Sequence, residues 1–270
     1  MVFETSQLPL DDSAVSSLMR GALPDWYFVN TSMSRMRRHL GLLGRLPDES
    51  LIIDFLKPAD VRLTEVTLCA FDDAEPGLLA RVTGTLAALR LYVQTAFVHT
   101  LNSLPAALGG SEPNRRVVLD TLLVEERYYG RQRPLTPETE KRVRRELSTV
   151  LKGGSTVGEL FDRNRVRIFG PLTIHDLQVG DGGRTAKGCA KITLRASDDG
   201  GVLYRATAAL AALRLHIVSA QIDTVDGNAD DLFFVTGPMG AALPSSELPI
   251  LRGRLLAMLQ SVSPTDLAAS

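Results

Sequence analysis

Cysteine is scarce in this chain: two residues in 270, Cys69 and Cys189. Two thiols make no disulfide framework, and these two do not fall at matching points of the repeat described below. They read as free thiols in a reducing compartment, so a cytoplasmic protein is expected. Charge of one sign is lacking as well. The 30 Lys and Arg stand against 31 Asp and Glu, a net charge of −1. Nucleic-acid-binding domains are usually clearly basic, so no nucleic-acid partner is expected. Long apolar runs are missing too. Leu91 to Ser111 carries no formal charge, but Gln94, His99, Asn102 and Pro105 interrupt it, and no membrane partner or span is expected. The opening residues, MVFETSQLPLDD, show no basic region followed by an apolar one, so a signal peptide is not expected.

Catalytic and cofactor signatures are also wanting. His39, His99, His175 and His216 have no ligand-like spacing with cysteine or with each other. There is no Gly-x-Ser-x-Gly elbow, no phosphate loop and no dinucleotide fingerprint. The adjacent carboxylates Asp72-Asp73 and Asp198-Asp199 are the nearest thing to a metal site. Neighbours on an extended chain point apart, so neither a metal nor a cofactor is expected.

What the chain does have is a core and a repeat. Apolar residues make up 44 % of it, and the length suits two ordinary domains. Gly77 to Thr100 aligns without a gap with Gly201 to Thr224 and matches at 12 of 24 positions.

Hydrophobic spacing outlines the repeated unit. Residues 31–43 read as a helix capped by Thr31 or Ser32, with Met33, Met36, Leu40 and Leu43 on one stripe. Arg35, Arg37 and Arg38 fall off that stripe and read as a solvated face. Thr64 to Phe71 alternates like a half-buried strand. Leu78, Leu79, Val82, Leu86 and Leu89 recur at helical spacing, and Leu91 to Thr100 is a second strand. Residues 101–116 read as a loop, Val117 to Glu126 as a third strand. Thr136-Pro137-Glu138 opens a helix that Gly153-Gly154 end. A short helix and a closing strand are expected over 156–170. The second copy repeats the order with a tight Asp226-Gly227 hairpin, where the first has about 13 more residues. The expected fold is α+β: two ferredoxin-like βαββαβ sandwiches over 61–160 and 161–270, preceded by a helical segment over 1–60.

The two blocks, DDAEPGLLARVTGTLAALRLYVQTAFVHT and SDDGGVLYRATAALAALRLHIVSAQIDT, resemble ACT domains. The likeness lies in an acid followed by glycine at the first helix. It also lies in a second strand spaced Val93-x-x-Ala96-x-Val98-x-Thr100 and Ile217-x-x-Ala220-x-Ile222-x-Thr224. A later Asp-x-Phe-x-Val pattern falls at Asp231, Phe233 and Val235, and more loosely at Asp120 to Val124. Their spacing, with Leu23 to Leu43 ahead of them, is similar to the tandem pair in the C-terminal regulatory region of PII uridylyltransferase/uridylyl-removing enzymes. The nucleotidyltransferase and phosphohydrolase motifs of those enzymes are not found, so no catalysis is expected. The second copy departs from the family pattern, with Gly200-Gly201 in place of the proline kept as Pro76.

The acid–glycine loops deliver the chain to helix N-termini, where unpaired backbone N–H groups and the helix dipole suit a carboxylate. Glycine allows close approach, and a nearby aspartate suits an ammonium. The resemblance implies a site at Asp72, Asp73, Gly77, Leu78, Gln94 and Ala96 in the first copy. In the second it implies Asp198, Asp199, Gly201, Val202, Ser219 and Gln221. The competing reading is that the aspartates only cap helices and the glycines only turn the chain. The expected function is therefore an amino-acid-sensing regulatory protein, with glutamine as the candidate ligand, in nitrogen or amino-acid metabolism, paired as a homodimer. The alternative is a non-binding interaction module derived from the same regulatory region.

Overall fold

The computed structural model describes residues 12–20, 22–59, 62–72, 75–110, 115–167, 172–198 and 201–261. Three helices come first: α1 (Asp12–Arg20), α2 (Asp25–Asn30) and α3 (Met33–Glu49). Strands β1 (Leu51–Leu56) and β2 (Thr64–Phe71) lead into α4 (Leu78–Ala88) and β3 (Tyr92–Leu101). Then come β4 (Val117–Tyr128), β5 (Arg131–Arg133), α5 (Pro137–Leu151) and α6 (Val157–Asn164). The second copy holds β6 (Ile174–Asp181), β7 (Ala190–Ser197), α7 (Val202–Ala212), β8 (His216–Val225), β9 (Asn228–Thr236) and α8 (Leu248–Gln260). The alignment of the repeats, 77 with 201, puts β3 and β8 at equivalent positions.

The chain divides into two units. The first comprises residues up to Ile52, with Leu68–Asp72 and His99–Leu119. Its core gathers Val15, Met19, Tyr27, Met36, Leu40, Leu43 and Leu46 from α1 to α3 with Cys69, Leu101, Val117 and Leu119. The Ser32 hydroxyl caps α3, accepting the Arg35 N–H at 3.3 Å. The inward stripe of α3 is the one its spacing predicts, with Met33 at its margin. Arg37 lies on the solvated side and meets exposed Asp12 at 2.5 Å. The stretch read as a loop between β3 and β4 does more than connect. Leu104 and Leu108 are buried in this core, the latter on a 3-10 turn, Ala106–Leu108.

Buried in the same unit is a ring cluster. The Tyr27 hydroxyl lies 2.8 Å from Nδ1 of His39. The His99 ring packs 4.5 Å from that of Trp26 and 5.1 Å from that of Tyr27. Burial lowers the pKa of both histidines to about 3, with Arg35 and Arg38 adding repulsion at His39.

The second unit (Ile53–Thr67, Asp73–Val98, Asp120–Ser270) carries the repeat. The sheet runs β1-β2-β4-β3-β8-β9-β7-β6, with β5 paired to β4. The order is the same from either end once equivalent strands are matched. Thr224, near the end of β8, donates its hydroxyl to the Val93 carbonyl near the start of β3 at 3.4 Å, so these central strands run antiparallel. The two copies thus share one continuous sheet, which conceals an edge in each. Their helices meet as well. Thr83 on α4 and Thr207 on α7 sit with hydroxyls 2.9 Å apart, and they are equivalent residues, 124 apart like the repeats themselves. A pseudo-two-fold axis passes between them.

Strand order departs from the sequence expectation at the ends. In each copy the edge strand beside the first repeat strand precedes it in the chain: β1 beside β2, β6 beside β7. The closing strand expected after α6 is not there over Val166 and Arg167, and residues 168–171 lie outside the described ones. The expected helix does form, capped by a reciprocal Thr156–Glu159 box. Burial also differs from expectation in β2, where Thr64 to Ala70 are all buried, Glu65 and Thr67 included. The Asp226-Gly227 hairpin forms as expected, with φ of 50° and 74°. Among the described residues no helix is long and apolar enough to cross a membrane.

Candidate functional site

Strand β7 ends at Ser197 and hands the chain to a turn. The Asp198 N–H donates to the Gly227 carbonyl of the neighbouring hairpin at 2.8 Å, which pins the start of that turn. Asp199 lies outside the described residues. Gly201 then sits at φ 89° and ψ 6°, a left-handed conformation that glycine adopts without strain. It opens α7 and brings no capping side chain of its own to the amides of the first turn.

That turn borders a cavity of about 320 Å³ lying wholly in the second unit. One wall is the second copy: Asp198, Gly201, Val202, Leu203 and Tyr204, with Ile222 and Thr224 of β8 and Ala229 and Asp231 of β9. The other wall is the first copy: Thr83 and Ala87 of α4, Arg90 just after it, and Leu91, Tyr92 and Val93. Val166 and Arg167, after α6, complete it. The cavity exists because the two copies pack about their pseudo-two-fold, so neither copy alone would form it.

Asp231 is the unusual group. It stands in register with Ile222 of β8 on one side and Leu194 of β7 on the other. It therefore shares the face of β9 that carries buried Ala229, Phe233 and Val235. It is 1 % exposed, and neither carboxylate oxygen has a hydrogen-bond partner among the described residues. Burial holds its pKa well above the usual carboxylate range, and the carboxylates of Asp198, Asp230 and Asp223 push it the same way. On the opposite wall Arg90 supplies positive charge, held by a bond from its guanidinium to the Arg165 carbonyl at 3.3 Å.

No protein-family model matches the chain. Over 181 residues, 67 % of its length, it is 26 % identical to the bifunctional uridylyltransferase/uridylyl-removing enzyme of Bradyrhizobium diazoefficiens. The chain is related to a region of that enzyme. It spans only 18 % of the enzyme's length.

Of the sequence-derived candidates, the cavity brings together Asp198, Gly201 and Val202. Ser219 and Gln221 do not line it. They pair with Phe234 and Leu232, on the face of the sheet away from Asp231. A register shift between Ile217 and Ser219 is the reason. Ile217 opposes Val235 and Ala220 opposes Phe233, so residues three apart share a face. The spacing Ile217-x-x-Ala220-x-Ile222 is thus the imprint of a β-bulge, and strict alternation misassigns the residues around it.

The first-copy candidates are placed differently. Asp72 is paired with Arg116 at 3.0 Å. Gly77 heads α4 at φ 133°, with Leu78 buried behind it. Gln94 is half-buried on β3, and Ala96 is fully buried. Asp73 lies outside the described residues. None of these lines the cavity. Glu75 lies 3.0 Å from Arg214 of the second copy, the equivalent of Arg90, so at this turn the arginine from the other copy is already paired. Sequence reading missed Asp231 as a site residue, although an acid in the inward series Ala229, Asp231, Phe233, Val235 is itself a signal.

Among the described residues no cluster of His, Cys, Asp and Glu could hold a metal ion. Cys69 is buried and Cys189 half-buried, and neither is in a disulfide.

Proposed function

We propose that the chain is a regulatory protein that senses a free amino acid, with glutamine the first ligand to test, at the turn from Asp198 to Val202. One observation carries this reading: the bare N-terminus of α7 and the carboxylate of Asp231 border the same small cavity. A zwitterion asks for both. Its carboxylate suits the N–H groups and positive end of the helix, and its ammonium suits an acid. A volume of about 320 Å³ is at the small end for ligand sites, which suits an amino acid better than a nucleotide. The likeness to a region of a uridylyltransferase/uridylyl-removing enzyme supports a regulatory setting in nitrogen or amino-acid metabolism. The first copy serves as the second wall and as an interaction element, its turn acids Asp72 and Glu75 already in ion pairs.

A thermal-shift screen of the proteinogenic L-amino acids tests this directly. At 100 times its Kd a ligand adds about 2.7 kcal/mol of stability. No shift with any of them would favour the interaction-module reading. Gly201→Val is expected to abolish binding, because a branched side chain blocks approach to the helix and strains a left-handed backbone. Gly77→Val, whose turn does not border the cavity, is expected to leave affinity unchanged. Titration calorimetry of the two variants separates them, and equal losses would count against a site at the second turn.

A homodimer belongs to the same proposal. Strands β1 and β6 end the sheet, and an end strand can pair with its own copy. Light scattering is expected to give twice the mass of one chain, and a monomer at micromolar concentration would refute it.

A further inference from the structure

Asp231 stands in an apolar layer, and among the described residues its carboxylate has no hydrogen-bond partner. Ile222 and Leu194 flank it across the sheet, and Ala229 and Phe233 lie on either side along β9. An acid in such a place weakens the fold unless something repays it. Its position at the edge of the cavity, beneath the turn that opens α7, supplies the reason.

We infer that Asp231 is the group that accepts the ammonium of the ligand, so that the cavity selects amino acids and rejects the same molecules lacking the amine. This rests on the reading above that the cavity holds a small zwitterion, and it names the residue that makes the choice. The carboxylates around Asp231 strengthen the selection. Asp198 from the turn, Asp223 from β8 and Asp230 from its own strand all favour a cation nearby and disfavour a second anion. The positive groups of neighbouring elements are directed elsewhere. Arg205 on α7 donates to the Leu259 carbonyl at 2.6 Å, and Arg195 on β7 lies 4.0 Å from Asp230. Arg90 and Arg167 are on the far wall, with the first copy and the segment after α6.

The inference has a proton balance. Burial and the surrounding carboxylates hold the unliganded carboxyl well above the usual carboxylate range, so it keeps its proton to higher pH than an exposed aspartate. An amino acid arrives with its ammonium already protonated at neutral pH. To pair with it, Asp231 becomes a carboxylate, and the proton it holds in the unliganded protein leaves to the buffer. Binding should therefore tighten as pH rises toward the pKa of the unliganded Asp231.

The experiment takes the amino acid giving the largest thermal shift and compares it with its analogue lacking the α-amino group. Calorimetry at pH 7 in phosphate and in Tris, buffers of different ionisation enthalpy, counts the protons released. The expected result is binding of the amino acid alone, with protons released on binding. Asp231→Asn should weaken it about 10- to 100-fold, the range for a charge-assisted hydrogen bond, and should abolish proton release. Asparagine has the same shape and no charge, so its thermal midpoint without ligand should be no lower than that of the unaltered protein. If the deaminated analogue binds equally well, or the variant binds as tightly as the unaltered chain, this assignment falls and the amino-acid site stands. If no amino acid shifts the midpoint, both fall together.

Discussion

Acidification from pH 7.5 to pH 5 is expected to cost the first unit about 4 kcal/mol, and the His99→Phe variant should recover about half of it. Two buried histidines are the cause. In the folded protein His39 and His99 have pKa values near 3, against 6.5 when exposed. A depressed pKa means that the fold admits only the neutral ring. Its stability is complete above pH 6.5 and drains away as pH falls toward 3, because the unfolded chain takes up protons that the folded one refuses. At pH 5 each ring contributes about 2 kcal/mol to that loss. His39 is held neutral by burial first, then by Arg35 and Arg38, and its Nδ1 faces the hydroxyl of Tyr27, which burial keeps protonated. His99 is held by burial alone, against Trp26 and Tyr27. Phenylalanine keeps those ring contacts and removes the titration.

Asp231 titrates with the opposite sign. Its raised pKa gives stability that is complete at low pH and is lost as pH rises, so in the unaltered chain it offsets part of the acid loss. The comparison is therefore best made in the Asp231→Asn background. Trp26 is the only tryptophan in the chain and touches His99, so its fluorescence reports on this unit. Urea midpoints at the two pH values, read by that signal, decide the matter. Equal acid sensitivity with and without His99 would show that the ring is not kept neutral by the fold.

Local features of this fold could be read from the sequence, and long-range ones could not. The Ser32 and Thr136 caps, the inward stripe of α3 and the Asp226-Gly227 hairpin each depend on neighbours within a few residues. The edge strands were different. Leu51–Leu56 is a six-residue run whose partner, β2, is not specified by anything nearby, and the closing strand was sought after α6. The site divided along the same line. Asp198, Gly201 and Val202 belong to one turn and were legible in it. Arg90, Tyr92 and Val93 come from the other copy, and only packing about the pseudo-two-fold brings them to that turn. Ser219 and Gln221 came from the resemblance, and the bulge in β8 puts them on the face of the sheet away from Asp231. Glu65 and Thr67 gave β2 the look of a half-exposed strand, though both are fully buried.

Gly84→Ala is expected to destabilise the protein by about 1–3 kcal/mol, although alanine is the better helix former. Gly84 lies in the middle of α4, facing α6 and α7. A methyl group there would come within 2.6 Å of Val157 Cγ1 and 2.7 Å of Tyr204 Cε2. Neither neighbour has room to yield, since both belong to one buried cluster with Ala80, Ala88, Val150 and Ala208. The repeat explains the fit. Gly84 is equivalent to Ala208, and Tyr204 to Ala80, so one side of the pseudo-two-fold pairs a ring with a glycine and the other pairs two alanines. Filling the glycine forces α4 and α7 apart where Thr83 and Thr207 meet, and Thr83 and Tyr204 both border the cavity. Affinity for the amino acid should therefore fall together with stability. Gly253→Ala is the matched control. It sits inside α8, exposed, with nothing within 4 Å of the new methyl. There the helix preference acts alone and should add up to about 1 kcal/mol. Denaturant midpoints of the two variants are thus expected to move in opposite directions. A second change, Tyr204→Leu, should shrink the cost of Gly84→Ala, because the ring is half of the clash. If both glycine variants stabilise the protein, the close approach of α4 to α7 is wrong, and with it the wall that the first copy gives to the site.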